Sequence, residues 1–124
     1  MTALQMILKV QKSYSDADPN LICQLINELE NRIKREILTP AGIEVSANKV
    51  EYKKGSDCQL LLDENYAFLY LFFILSRISL LDGDVDTSEM MAANFNQQYK
   101  ELEIAYRKEY APQKNNKIFG GTLI

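Results

Sequence analysis

Along the first third of the chain Leu21, Ile22, Leu25, Ile26, Leu29, Ile33 and Ile37 recur at steps of three and four. That spacing sets apolar side chains on one face of an α-helix. Asp18 before Pro19 supplies a capping carboxylate and a first-position proline, and Thr39-Pro-Ala-Gly42 stops the run, because proline breaks the hydrogen-bond ladder and glycine takes the reversal. Glu28 with Arg32 and Glu30 with Lys34 add i,i+4 pairs to the polar side. Upstream, Leu4, Ile7 and Leu8 follow Thr2 and Gln5, a capping-box pair. They predict a shorter first helix over about 2–12, joined to the second by the polar connector 13–20.

The period then changes. Val50 and Tyr52 alternate with charged residues, Lys54-Gly-Ser-Asp57 reads as a turn, and Cys58, Leu60 and Leu62 alternate again. Alternation on both sides of a turn predicts a small β-hairpin. From Asp63 to about Leu81 the residues are apolar on nearly every side, so one helical face cannot accept them all. Such a helix lies at the centre of a bundle or shares itself with another subunit. A last helix over about 87–110 carries Met91, Phe95, Tyr99, Leu102, Tyr106 and Tyr110 on one stripe, opposite Lys100, Glu103, Arg107 and Lys108. After Ala111-Pro112 the polar run Gln-Lys-Asn-Asn-Lys leads to Ile118, Phe119, Leu123 and Ile124, which predicts a flexible tail over 113–124 with an apolar tip. The pattern as a whole predicts a mainly α fold. It is a single domain over 1–112, a small bundle of about four helices with a short β-hairpin between the second and third.

Composition narrows the chemistry. With 124 residues, 47% hydrophobic and 25% charged, the chain suits one compact core. The net charge of −3 and the interleaving of lysine and arginine with glutamate leave no basic footprint for nucleic acid. Cys23 and Cys58 have no histidine to join them, so neither a zinc site nor a Cys–His nucleophile is expected, and free thiols are the expectation. The start of the chain lacks a signal-peptide pattern, which implies cytoplasmic synthesis. The run Tyr66-Ala-Phe-Leu-Tyr-Leu-Phe-Phe-Ile-Leu75 reads as a core helix rather than a membrane span.

Two sets of residues suggest function more directly. Asp82, Asp84 and Asp86 stand at alternate positions beside Gly83, as in a calcium loop. A loop begun at Asp82 puts Thr87 where the sharp-turn glycine belongs and Ala93 where a bidentate glutamate is needed, and starting at Asp84 fares no better. A helix-turn-helix corner explains the same residues, with Gly83 ending one helix and Asp86 with Glu89 capping the next. The seven tyrosines and five phenylalanines lack the basic groove that would pair with base stacking. They suit a core or a protein interface. No phosphate loop, histidine base or nucleophile elbow is present in the sequence, so no enzyme, cofactor, metal or small-molecule substrate is expected.

Leu60-Leu-Leu62, Tyr66, Leu69-Tyr70, Ile78, Asp82-Gly83 and then Phe95-Asn-Gln-Gln-Tyr99 with Tyr106 and Pro112 resemble the small head–tail connector proteins of tailed bacteriophages and prophages of Gram-positive bacteria. The match covers roughly residues 58–112, and the helix over 18–38 stands where the family's helix before the hairpin is expected. The resemblance implies a structural subunit made in the host cytoplasm and located in the neck of the virion. There it forms a homo-oligomeric ring between portal and tail proteins, with DNA only passing non-specifically through the channel and no membrane involved.

A ring needs one face of each subunit to fit a different face of the next. Phe68, Leu71, Phe72 and Leu75 are expected to divide between the core and such a contact, with Tyr106, Tyr110 and Phe119 as further interface candidates. The alternative is an intracellular helical adaptor that receives a partner protein's helix in an apolar groove.

Overall fold

The computed structural model describes residues 1–45, 49–52 and 58–110, the side chains of 108–110 excepted. Helix α1 spans Ala3–Ser13, α2 Pro19–Ile33, α3 Ala67–Leu81 and α4 Val85–Tyr110. The capping box at the chain start forms as its spacing predicts: Gln5 N–H donates to Thr2 Oγ1, and Thr2 N–H donates to Gln5 Oε1. Asp18 Oδ1 accepts from Asn20 N–H, with Pro19 opening α2. Beyond Ile33 the helix widens into a π-helical turn, Lys34–Leu38, in which Thr39 N–H reaches back five residues to the Lys34 carbonyl. Gly42, at φ +79°, closes it in the left-handed conformation that glycine adopts without strain.

Helix α3 touches α1, α2 and α4, which is why its sequence is apolar on so many sides. Leu69, Tyr70, Phe73, Ile74, Leu75 and Ile78 are buried, as are Ser76 and Ser79. Ile22, Ile26, Leu29 and Ile33 of α2 and Met6 and Val10 of α1 are fully inaccessible and join them in one core. Each such side chain contributes about 1.5–3 kcal/mol relative to leaving it in water. On α4 the stripe Phe95, Tyr99 and Leu102 meets this core, with the Phe95 ring 5.2 Å from that of Phe73. The small Ser76 and Ser88 stand at the α3–α4 contact, where Ser88 Oγ donates to the Ser76 carbonyl at 2.7 Å.

The β-hairpin expected between the second and third helices does not form. Among the described residues there is no strand, only an isolated antiparallel bridge between Thr2 and Gln59. The expected turn, 54–57, lies outside the described residues. The reason for the difference is visible in where the backbone hydrogen bonds go. Val50 N–H donates to Asn27 Oδ1 while Asn27 Nδ2 donates to the Val50 carbonyl, both at 2.7 Å. Leu61 N–H donates to Glu30 Oε2, and Leu62 N–H to the Tyr70 hydroxyl. Leu60 N–H bonds the Met1 carbonyl, and Ala3 N–H the Cys58 carbonyl. Side chains of the helices and the start of the chain thus take the place of a partner strand. Leu60 and Leu62 are buried against the helices as their alternation suggests, whereas of Val50 and Tyr52 only Val50 is buried and Tyr52 is 47% exposed.

A candidate protein-interaction surface

The corner between α3 and α4 forms from the acidic stretch. Gly83, at φ +82°, donates its N–H to the Leu80 carbonyl, and Asp84 N–H reaches the Ser79 carbonyl, the paired bonds of a Schellman stop. Asp84 then caps α4: its Oδ1 accepts from Thr87 N–H at 3.1 Å, and hydrogen bonding to the Thr87 side chain and then to its N–H holds the Asp84 carboxyl below the ordinary aspartate range. The cap is therefore Asp84 and not the expected Asp86, and α4 starts two residues earlier than the periodicity suggests. Asp82, Asp84 and Asp86 are all exposed, and among the described residues no three acidic, cysteine or histidine side chains gather as a metal site would require.

Two polar networks brace the bundle. Glu30, only 4% exposed, accepts at Oε2 from the Tyr70 hydroxyl and from Leu61 N–H, each at 2.6 Å. Burial, reinforced by the neighbouring Glu30, pushes the Tyr70 phenol well above its ordinary value. On the outer side, Glu36 Oε1 accepts from the Tyr99 hydroxyl at 2.7 Å and from Arg32 Nε at 3.0 Å. The Arg32 guanidinium also lies 4.4 Å from the Tyr99 ring centroid and 5.5 Å from that of Phe95, a cation–π arrangement. The Tyr99 bond first, then Arg32, lowers the Glu36 carboxyl below the glutamate range, while burial and Glu36 raise the Tyr99 phenol. The phenylalanine–tyrosine element read from the sequence is thus the internal clamp of the π-helical turn. Cys23 is buried and Cys58 half-buried, both as free thiols, and burial pushes the Cys23 thiol up. Among the described residues every buried side-chain polar atom has a hydrogen-bond partner, so the polar interior is taken up in holding the fold.

Beside its charged surface the fold leaves several large apolar side chains exposed. Of the residues expected at an interface, Leu75 is in the core, Leu71 and Phe72 are half-buried against it, and Phe68 stands 60% exposed with its ring stacked 5.9 Å from Phe72. Tyr106 is half-buried beside Glu36, Pro40 and Arg107 around a hollow of about 110 Å³. The side chain of Tyr110, which ends α4, and the whole of Phe119 lie outside the described residues, as does the tail over 113–124. An open groove of about 530 Å³ runs between α1 and the start of α3, lined by Leu8, Ala67 and Phe68 with Lys9, Lys12 and Glu64 at its edges.

The sequence reading missed the opposite end of α3. There Leu80 is 54% exposed, Leu81 72% and Val85 49%. A signal was present in the run Leu80-Leu81 directly before three aspartates, since a helix end beyond its last core turn cannot bury both. By length and composition Glu64–Leu81 is apolar enough to cross a membrane, but contact with three other helices accounts for that apolarity here.

Comparison of the chain with protein-family models, with curated proteins and with solved structures found no match.

Proposed function

We propose that this chain is a structural subunit of a phage neck, a head–tail connector that forms a ring between portal and tail and works by surface fit rather than by chemistry. The observation that carries the reading is the exposure of large apolar side chains at both ends of the central helix, Phe68 with Leu8 at one and Leu80 with Leu81 at the other. Apolar surface of that kind is what a subunit buries when it assembles. The resemblance over residues 58–112 supplies the particular assembly. DNA passing a ring lumen is not gripped, so a net charge of −3 suits the role.

Deleting the gene from the phage that encodes it tests the proposal. The expected lysate contains heads and tails that fail to join, and purified wild-type virions contain the chain in several copies each. Complete, infectious particles without the gene would refute it. The groove between α1 and α3 favours the second reading, an adaptor that receives a partner helix. That reading predicts a one-to-one complex with another protein and no role in particle assembly.

A further inference from the structure

The two most exposed large apolar side chains among the described residues, Leu81 and Phe68, sit at opposite ends of one helix. Thirteen residues of α-helix hold them about 20 Å apart, so they cannot meet within one copy. Their surroundings carry opposite charge. The groove beside Phe68 is lined by Lys9 and Lys12 of α1 and by Glu64, which Asp63 precedes on the chain. The corner around Leu81 is edged by Asp16, Asp18 and Asp82, with Asp84 and Asp86 following on the chain. One end is therefore an apolar groove edged by lysine, and the other an exposed apolar corner, Leu80, Leu81 and Val85, beside an open hollow lined by Leu81 and acidic side chains.

From this pairing we propose that the groove between α1 and α3 receives the α3–α4 corner of a second copy, head to tail, with Leu81 seated beside Phe68 and Leu8. A symmetric dimer through either end would set Lys9 and Lys12 against their own copies, or the aspartates against theirs, and like charge at a contact selects against that arrangement. Corner against groove matches both apolar surface and charge. A contact between two different faces repeats from copy to copy and closes into a ring when the rotation allows. The inference deepens the connector reading and rests on it for the ring, while the contact itself rests on the two ends of α3.

Sedimentation of the purified full chain over a concentration series tests it, using substitutions at exposed positions that leave the core untouched. Wild type is expected to gain mass with concentration. Lys9→Glu with Lys12→Glu, and separately Asp16→Lys with Asp82→Lys, are each expected to weaken association about tenfold or more. Mixing the two charge-reversed proteins is expected to restore it, because each then offers the other an opposite rim, and helical circular dichroism confirms that both fold. Leu81→Asp is expected to leave a folded monomer. A wild-type chain that stays monomeric throughout overturns the contact, as do oligomers indifferent to both reversals or a mixture that does not recover. Each of these failures leaves the neck reading to the deletion experiment, which can fail independently.

Discussion

Tyr70→Phe removes one oxygen from the centre of the molecule, and two partners lose it at once. Glu30 Oε2 loses a donor at 2.6 Å, and Leu62 N–H loses its acceptor at 3.1 Å. The 2.6 Å length is that of a charge-assisted bond, whose loss costs about 1.5–3 kcal/mol, and an orphaned buried N–H costs about 1–3 kcal/mol more. The phenyl ring still fills its space, so no large cavity term adds to these. A destabilisation of roughly 3–5 kcal/mol follows, a large part of the about 5–15 kcal/mol that holds a domain of this size. Tyr99→Phe is the control. It also removes a hydroxyl from a carboxyl group at 2.7 Å, but the Glu36 side chain is 40% exposed and keeps Arg32, so its loss is expected to stay under about 1 kcal/mol. Urea unfolding of wild type and the two variants measures both. Because the phenol of Tyr70 is raised in the fold, its contribution is complete below the unfolded tyrosine value, about 10, and is lost as pH rises above it. Tyr70→Phe should therefore also flatten the loss of stability at alkaline pH. Equal costs for the two tyrosines, or a Tyr70→Phe cost under about 1 kcal/mol, would refute the reasoning.

Four further outcomes follow from the same contacts. Asp84→Ala should lower the urea midpoint through loss of the α4 cap, while Asp86→Ala, a solvated first-turn side chain, should leave it nearly unchanged in the same unfolding assay. Gly83→Ala meets no atom within 4 Å of its added Cβ, so its expected cost of about 1–2 kcal/mol is backbone strain alone. Asn27→Ala should release residues 49–52, read as faster amide exchange at Val50 with the α3–α4 pair unchanged, because Asn27 holds both the N–H and the carbonyl of Val50. Glu36 has its carboxyl lowered by Tyr99 and Arg32, so the stability it supplies is present above the ordinary glutamate range and is lost as pH falls through its lowered value. Glu36→Gln should weaken that acid dependence in a melting series from neutral to acid pH.

Helix periodicity and caps were legible because they are local. Thr2 with Gln5, Asp18 with Pro19 and the repeat from Leu21 to Ile37 need no knowledge of the rest of the chain. The described residues before α3 were misread because alternation at Leu60 and Leu62 reports burial on one side and does not say whether a strand or a helix covers it. Telling them apart requires knowing that Asn27 and Glu30, which look like solvated helix positions, turn inward to serve backbone amides. The cap of α4 was misplaced by two residues because Asp84 and Asp86 have the same chemistry, and the Schellman stop at Gly83 selects the nearer one. The apolar excess of α3 was visible in its composition, but its division was not. Leu75 turned to the core, Phe68 to solvent, and the largest exposure fell on Leu81, where a helix end projects past its neighbours.

The central proposal is that the exposed ends of α3 join this chain to its neighbours in a phage neck. Adding purified protein to a lysate of the phage lacking the gene, and counting infectious particles, tests that claim most directly. Wild-type chain is predicted to restore joining of heads to tails, and folded Leu81→Asp chain is predicted to restore none. Equal rescue by the two proteins, or no rescue by wild type, would contradict it.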